Sequence, residues 1–145
     1  NLLDYLNDDL EPVKVVIKKQ CSKILGGEKF LVKMWANIFR NNECIKFHTH
    51  HSRNVVDDIF KKNVFKTLCG NLFLYGDADS DTIYYFDEKT PVKNVVGDIH
   101  MFSCITPHET LPFQGNLRVG LAFDVYTENF FTDMGLVTPP NLRLI

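Results

Sequence analysis

The dipeptide Gly26-Gly27 divides the chain between two hydrophobic periods. Before it, in PVKVVIKKQCSKILGG, the apolar residues Val13, Val16, Ile17, Cys21, Ile24 and Leu25 follow the three-and-four spacing of one helical face. Pro12 suits a first helical turn and the two glycines suit a C-cap. The spacing predicts a helix here, with a shorter one expected over Leu2 to Leu10. Lys14, Lys18, Lys19 and Lys23 fall mostly on the opposite face, which reads as solvated surface; docking of an acidic partner is the functional alternative. After Gly27 the segments KFLVKMWANIF, CIKFH, VFKTLCGNLFLYG, TIYYFDE, VKNVV, DIHMFSCI and NLRVGLAFDVY are β-branched and aromatic, and turn residues bound most of them. That pattern predicts about seven or eight short strands in an antiparallel sandwich or barrel. NVVDDIFKKN reads as a short helix or a lid, and TPPNLRLI as an extended tail. The expectation is one domain: a helical part over 1–27, a β core over 28–130 and a tail over 131–145.

A chain of 145 residues buries about two-thirds of its unfolded surface and needs no disulfides to fold. Cys21, Cys44, Cys69 and Cys104 stand apart with no CxxC pair, which excludes a zinc ribbon or a thioredoxin-like motif. They read as reduced thiols in a cytoplasmic core. A net charge of −2 argues against a general nucleic-acid binder. No apolar run approaches the ~20 residues of a membrane span, and no signal-peptide pattern is visible.

Three of the five histidines lie in FHTHH, as His48, His50 and His51. On an extended chain, residues two apart point the same way. His48 and His50 therefore offer two imidazoles to one metal while His51 points away. H-x-H alone does not separate that from a polar strand end. His100 and His108 are candidates for a third ligand. Ten residues after His108, Arg118 stands inside the apolar strand LRVGLAF. A guanidinium there costs free energy unless it meets an anion. A structural salt bridge, a snorkelling side chain, or a carboxylate ligand held by the guanidinium fork each answers that cost.

The order of these motifs resembles the iron(II)- and 2-oxoglutarate-dependent oxygenases, in a small prolyl-hydroxylase-like branch common in phage and marine bacteria. Trp35-Ala36-Asn37, His48-Thr49-His50, the Gly70 to Tyr75 strand, Gly97-Asp98 with Phe102, His108 and Arg118 carry it, over roughly residues 30 to 126. The resemblance implies a mainly β fold, a double-stranded β-helix (a cupin-like jelly roll), with one or two N-terminal helices packed on it. It implies Fe(II), 2-oxoglutarate and O2, decarboxylation to succinate, and hydroxylation of a C–H bond on a small-molecule or peptidyl substrate, with prolyl hydroxylation one candidate. It implies host cytoplasm if the chain is phage-encoded. It carries His48 and His108 over as metal ligands and Arg118 as the partner of the far carboxylate of 2-oxoglutarate. Asn37, Asn71 and Tyr75 are expected to line the same cleft.

The chain departs from the family at two places. His50 stands where the usual triad has a carboxylate. Either His50 is the third ligand, the preferred reading because it shares a face with His48, or a carboxylate such as Asp87 or Glu109 supplies the bond. Gly120 stands where the family has a hydroxyl near the arginine. Two other functional classes remain open. A cupin-type metal protein would use His48, His50 and His100, although positions 53–56 lack the expected Glu and Arg118 is left without a role. A non-enzymatic binding module would hold no metal. Asp77, Asp79, Asp81 and Glu88 have calcium-loop spacing, but Thr82 replaces the loop glycine, so the segment reads as a charged turn.

Overall fold

The computed structural model describes residues 1–5, 8–62, 65–76 and 81–145. Asp77 and Asp79 of the charged turn lie outside them.

Helix α1 spans Glu11–Leu25, with Pro12 in its first turn and Gly26 as C-cap at φ 73°, a conformation glycine adopts without strain. Its buried side chains are Ile17 and Cys21, with Val13 and Leu25 packed beside them. Val16 lies about 100° round the helix from Ile17 and is 41% exposed. Ile24, in the last turn, is 58% exposed, so the buried stripe is narrower than the six-residue face read from the sequence. Of the shorter helix expected over Leu2 to Leu10, the described residues form a 3-10 turn at Leu2–Asp4 and turns at 8–10; residues 6 and 7 lie outside the described residues.

The larger sheet holds β1 (Phe30–Phe39), β2 (Thr67–Tyr75), β5 (Ile99–Phe102), β7 (Arg118–Thr127) and β8 (Arg143–Leu144), in the order β5-β2-β7-β1-β8. β1 and β7 pair antiparallel in unbroken register from Phe30↔Thr127 to Phe39↔Arg118. The smaller sheet has the order β4-β3-β6, from β3 (Asp81–Tyr85), β4 (Lys89–Lys93) and β6 (His108–Thr110). The fold is mainly β, antiparallel and jelly-roll-like, as expected.

Alternation along the strands decides what each face does. On one face of the larger sheet, Phe30, Val32 and Met34 of β1, Leu68 and Leu72 of β2, and Leu121, Phe123 and Val125 of β7 form the main core with Ile17 and Cys21 of α1. Burying each such side chain is worth about 1.5–3 kcal/mol, which is what holds the helix on the sheet. The other face carries Trp35, Asn37, Asn71, Phe73, Arg118, Gly120 and Ala122 toward the smaller sheet. A second core gathers Ile59, Tyr126, Phe130, Phe131, Met134 and Leu142. It joins α2 (Arg53–Lys62) to α3 (Phe130–Met134).

Several local expectations are corrected. CIKFH forms no named strand: only His48 bridges, to His108. The reason is local, since the Ile45 amide donates to the Thr110 hydroxyl at 2.8 Å instead of to a carbonyl, which breaks the ladder. The strand expected at VKNVV lies earlier, at Lys89–Lys93, where Pro91 is tolerated because β4 is a sheet edge. α3 occupies the start of the stretch read as extended tail; further on, β8 is extended and pairs with β1 through Leu31↔Leu144. The α2 segment is helical but anchored through Ile59 to the second core, and none of its residues lines the cleft described below. Cys69 and Cys104 are joined in a disulfide with Cα atoms 5.1 Å apart, against the expectation of four reduced thiols. The pairing of Cys69 with Phe102 across β2 and β5 brings Cys104 within reach. Cys21 is buried, its thiol pushed up to about 12 by desolvation, whereas Cys44 is exposed. No helix among the described residues is long and apolar enough to cross a membrane.

Candidate metal centre

A cleft of about 220 Å³ opens between the two sheets. His48, His50, His108 and Arg118 all line it, with Trp35, Asn37, Asn71 and Gly120. His48 and His108 are opposed across the bridge, each amide donating to the other's carbonyl at 3.0 Å. The His50 amide donates to the Cys104 carbonyl at 3.1 Å, which fixes the chain two residues further on. The ring centroids lie 4.3 Å apart for His48 and His108, 5.1 Å for His50 and His108, and 5.3 Å for His48 and His50.

The hydrogen bonds settle which nitrogen of each ring is available. His48 Nδ1–H donates to the Lys46 carbonyl at 2.8 Å, and His108 Nδ1–H to the Thr106 carbonyl at 3.0 Å. A carbonyl oxygen only accepts, so both Nδ1 atoms carry the proton and, in the neutral ring, the lone pair is on Nε2. His50 Nδ1–H donates to the Asp124 carboxylate, which in the neutral ring puts the lone pair on Nε2. The three rings offer one ligand atom each within 4.8 Å of one another. Three such nitrogens suit a transition metal, and their Nδ1 partners are the supports that metal-binding histidines usually have. Burial pushes the His108 imidazole down to about 4, with the neighbouring His48 and His50 acting in the same direction, so the ring stays neutral and able to ligate at neutral pH.

Arg118 begins β7 and is 3% exposed. Its guanidinium lies 4.2 Å from the Phe39 ring centroid and 5.5 Å from that of Phe113. Among the described residues no carboxylate pairs with it, and its Nη1 atom has no hydrogen-bond partner. A structural salt bridge and a snorkelling side chain are therefore both absent among the described residues. Desolvation pushes the guanidinium below its ordinary range, the direction expected of a cation held in an apolar place without its anion. Gly120, two residues on, also faces the cleft; a Cβ there would stand 3.2 Å from the Leu72 carbonyl.

Asn37 and Asn71 line the cleft as expected, but Tyr75 does not. The register of β2 on β7 slips between Phe73 and Tyr75, so Tyr75 faces Val119 instead of Arg118. The bulge turns it to the other side of the sheet, where it is 61% exposed beside Gly76, Asn116 and Leu117. His100 is outside the three-histidine cluster; its Nδ1 is 3.2 Å from the Tyr84 hydroxyl. Glu109 accepts from the Tyr85 hydroxyl at 2.5 Å, and neither it nor Asp87 belongs to a metal-capable group. His51 leaves the cluster and stacks on Phe130 at 5.8 Å. Asp124 was missed. It is 6% exposed on β7, and its carboxylate touches His50 and lies 3.2 Å from Cys69 Sγ. The signal was an acid inside the apolar run LAFDVY, the same anomaly that singled out Arg118.

No family model matches the sequence, and no curated protein matches it. Solved structures do. An oxidoreductase of the 2OG-Fe(II) oxygenase family from Burkholderia pseudomallei aligns with a TM-score of 0.58 at 16% identity, over 77% of this chain and 52% of that one. A Pseudomonas putida prolyl-4-hydroxylase aligns with a TM-score of 0.54 at 18% identity, over 81% and 62%. AviO1 from Streptomyces viridochromogenes Tue57 aligns at 0.58 and 10% identity, over 77% and 57%. The chain spans between half and two-thirds of the length of these proteins, and what it shares with them is the fold.

Proposed function

We propose that the chain is an Fe(II)- and 2-oxoglutarate-dependent oxygenase of the prolyl-hydroxylase-like kind, which hydroxylates a C–H bond and converts 2-oxoglutarate to succinate. The observation that supports this best is one cleft holding three imidazole Nε2 lone pairs and, buried without a counter-ion among the described residues, Arg118. His48, His50 and His108 would hold the metal. Bound iron supplies the redox chemistry for oxygen activation.

The residues of the chain do the rest. Arg118 holds the far carboxylate of 2-oxoglutarate through two parallel N–H donors, and Phe39 and Phe113 keep the guanidinium plane in place and water away from it. Gly120 offers no hydroxyl there, so the guanidinium carries that end of the ligand with less help than in the family pattern. Asn37 and Asn71 line the same cleft and offer amide donors to a ligand there. Pockets that enclose drug-sized ligands run from about 300 to 1,000 Å³. A cleft of about 220 Å³ suits a five-carbon dicarboxylate and leaves the substrate, a small molecule or a peptidyl residue, at the mouth.

The test is an anaerobic titration of metal-stripped protein with Fe(II) and then 2-oxoglutarate, following the weak visible charge-transfer band of the chelated pair. The reading expects the band in the wild type and its loss in His108→Ala. Iron binding without the band would remove 2-oxoglutarate from the account, and no iron binding would remove the enzyme.

A further inference from the structure

The three histidines are not supported alike. His48 and His108 each give their Nδ1–H to a neutral backbone carbonyl, whereas His50 gives its own to a buried carboxylate. His50 is also the ligand that departs from the two-histidine, one-carboxylate pattern. From this contrast we infer that Asp124 is the positioning residue of the metal centre. It fixes the His50 ring and supplies, one imidazole away, the negative charge that a carboxylate ligand would have brought directly to the metal. The inference rests on the metal-binding reading above.

The placement of Asp124 argues for this role. It lies on the cleft-facing row of β7, two residues beyond Ala122 and opposite Lys33 and Cys69 in the neighbouring strands. It is 6% exposed, and a carboxylate so far from water needs compensating partners. Among the described residues its only ion-pair partner is His50; the other close atom, Cys69 Sγ at 3.2 Å, is a disulfide sulfur with no hydrogen to donate. No lysine or arginine among the described residues pairs with it, so its charge is directed at the imidazole. A carboxylate on Nδ1 holds the ring's tautomer and angle and makes Nε2 a stronger donor. Three imidazoles would otherwise bring no negative charge to a divalent ion.

The experiment uses Co(II) alone as probe, titrated into metal-stripped protein under its visible absorption, in the wild type, Asp124→Asn, His50→Ala and the double variant. Asparagine keeps an acceptor oxygen of the same reach and removes the charge. We expect Asp124→Asn to bind Co(II) about 10- to 100-fold more weakly, with an altered visible spectrum and an unchanged far-ultraviolet circular dichroism. In the His50→Ala background the same substitution should change the affinity less than twofold, because the residue acts through that ring. Equal affinity in Asp124→Asn and wild type would overturn the inference while leaving the metal site intact. So would a loss that persists undiminished without His50, which would mark a general electrostatic or structural effect. A wild type that binds no Co(II) would overturn both the inference and the function it rests on. A second measurement needs no variant: nitrogen-15 NMR of histidine in the metal-free protein should show His50 protonated at Nδ1 and bare at Nε2. The opposite tautomer would overturn the assignment.

Discussion

Replacing Arg118 by methionine separates a residue kept for a ligand from one kept for the fold. In the unliganded protein Arg118 is 3% exposed and its Nη1 has no partner among the described residues. An orphaned buried donor costs about 1–3 kcal/mol, and more on a charged group. The Phe39 ring, 4.2 Å away, returns about 1 kcal/mol of that. Methionine keeps most of the apolar stem and removes the charge. The unliganded variant should therefore be as stable as the wild type or up to about 2 kcal/mol more stable in urea unfolding. An arginine in a buried structural ion pair would behave in the opposite way, with truncation costing about 3–5 kcal/mol. With Fe(II) under anaerobic conditions and 2-oxoglutarate at a hundredfold excess over its dissociation constant, the wild type should gain about 2.7 kcal/mol. For a chain of this length that is a rise of roughly 8 °C in melting midpoint. Arg118→Met should show almost none of that rise at the same concentration. A loss of more than about 2 kcal/mol in the unliganded variant, or a full ligand-induced rise, would rule out an arginine kept for that ligand.

Three further outcomes follow from the structure. The His108 imidazole is held down at about 4 in the fold against an ordinary 6.5, so between those values the unfolded chain binds more protons. Metal-free stability should fall as pH drops from about 6.5 toward 4, by up to about 3 kcal/mol; urea titrations at several pH values check this, and His108→Gln should flatten the slope. The Cys69–Cys104 disulfide closes a loop with a sequence separation of 35. Its reduction by a dithiol should cost about 3–4 kcal/mol on the loop-entropy account, read as a lower melting midpoint. A Cβ at Gly70 would lie 2.2 Å from Phe123 Cζ and 2.7 Å from the His100 carbonyl. Gly70→Ala should destabilise by about 1–3 kcal/mol in urea unfolding, whereas a neutral result would mean that the sheet yields there.

The helix, the period-two strands and the outliers among them were legible because each is a local property of the sequence. The pattern of β7 shows both an arginine and an aspartate among apolar residues, yet only Arg118 was singled out, because an arginine ten residues after a histidine matched a motif and LAFDVY matched none. Asp124 acquires meaning only when the sheet register puts it against His50, a residue 74 positions away. Tyr75 was misplaced for a related reason. Strict alternation along β2 puts it in the cleft, and one bulge, invisible in the sequence, turns it out. The disulfide was unreadable from spacing, since Cys69 and Cys104 meet only through the pairing of β2 with β5. The His48 and His50 rings stack 5.3 Å apart, although irregular hydrogen bonds to the stretch around His108 hold the H-x-H segment in place of a regular strand.

The convergence of three histidine Nε2 atoms on one metal is the claim on which everything else depends, and anomalous diffraction from crystals grown anaerobically with Mn(II) tests it most directly. A single anomalous peak is expected about 2.0–2.3 Å from Nε2 of each of His48, His50 and His108, with Asp124 remaining on His50 Nδ1. Absence of a peak in the cleft, or a peak bound instead by the Asp124 carboxylate, would overturn that claim.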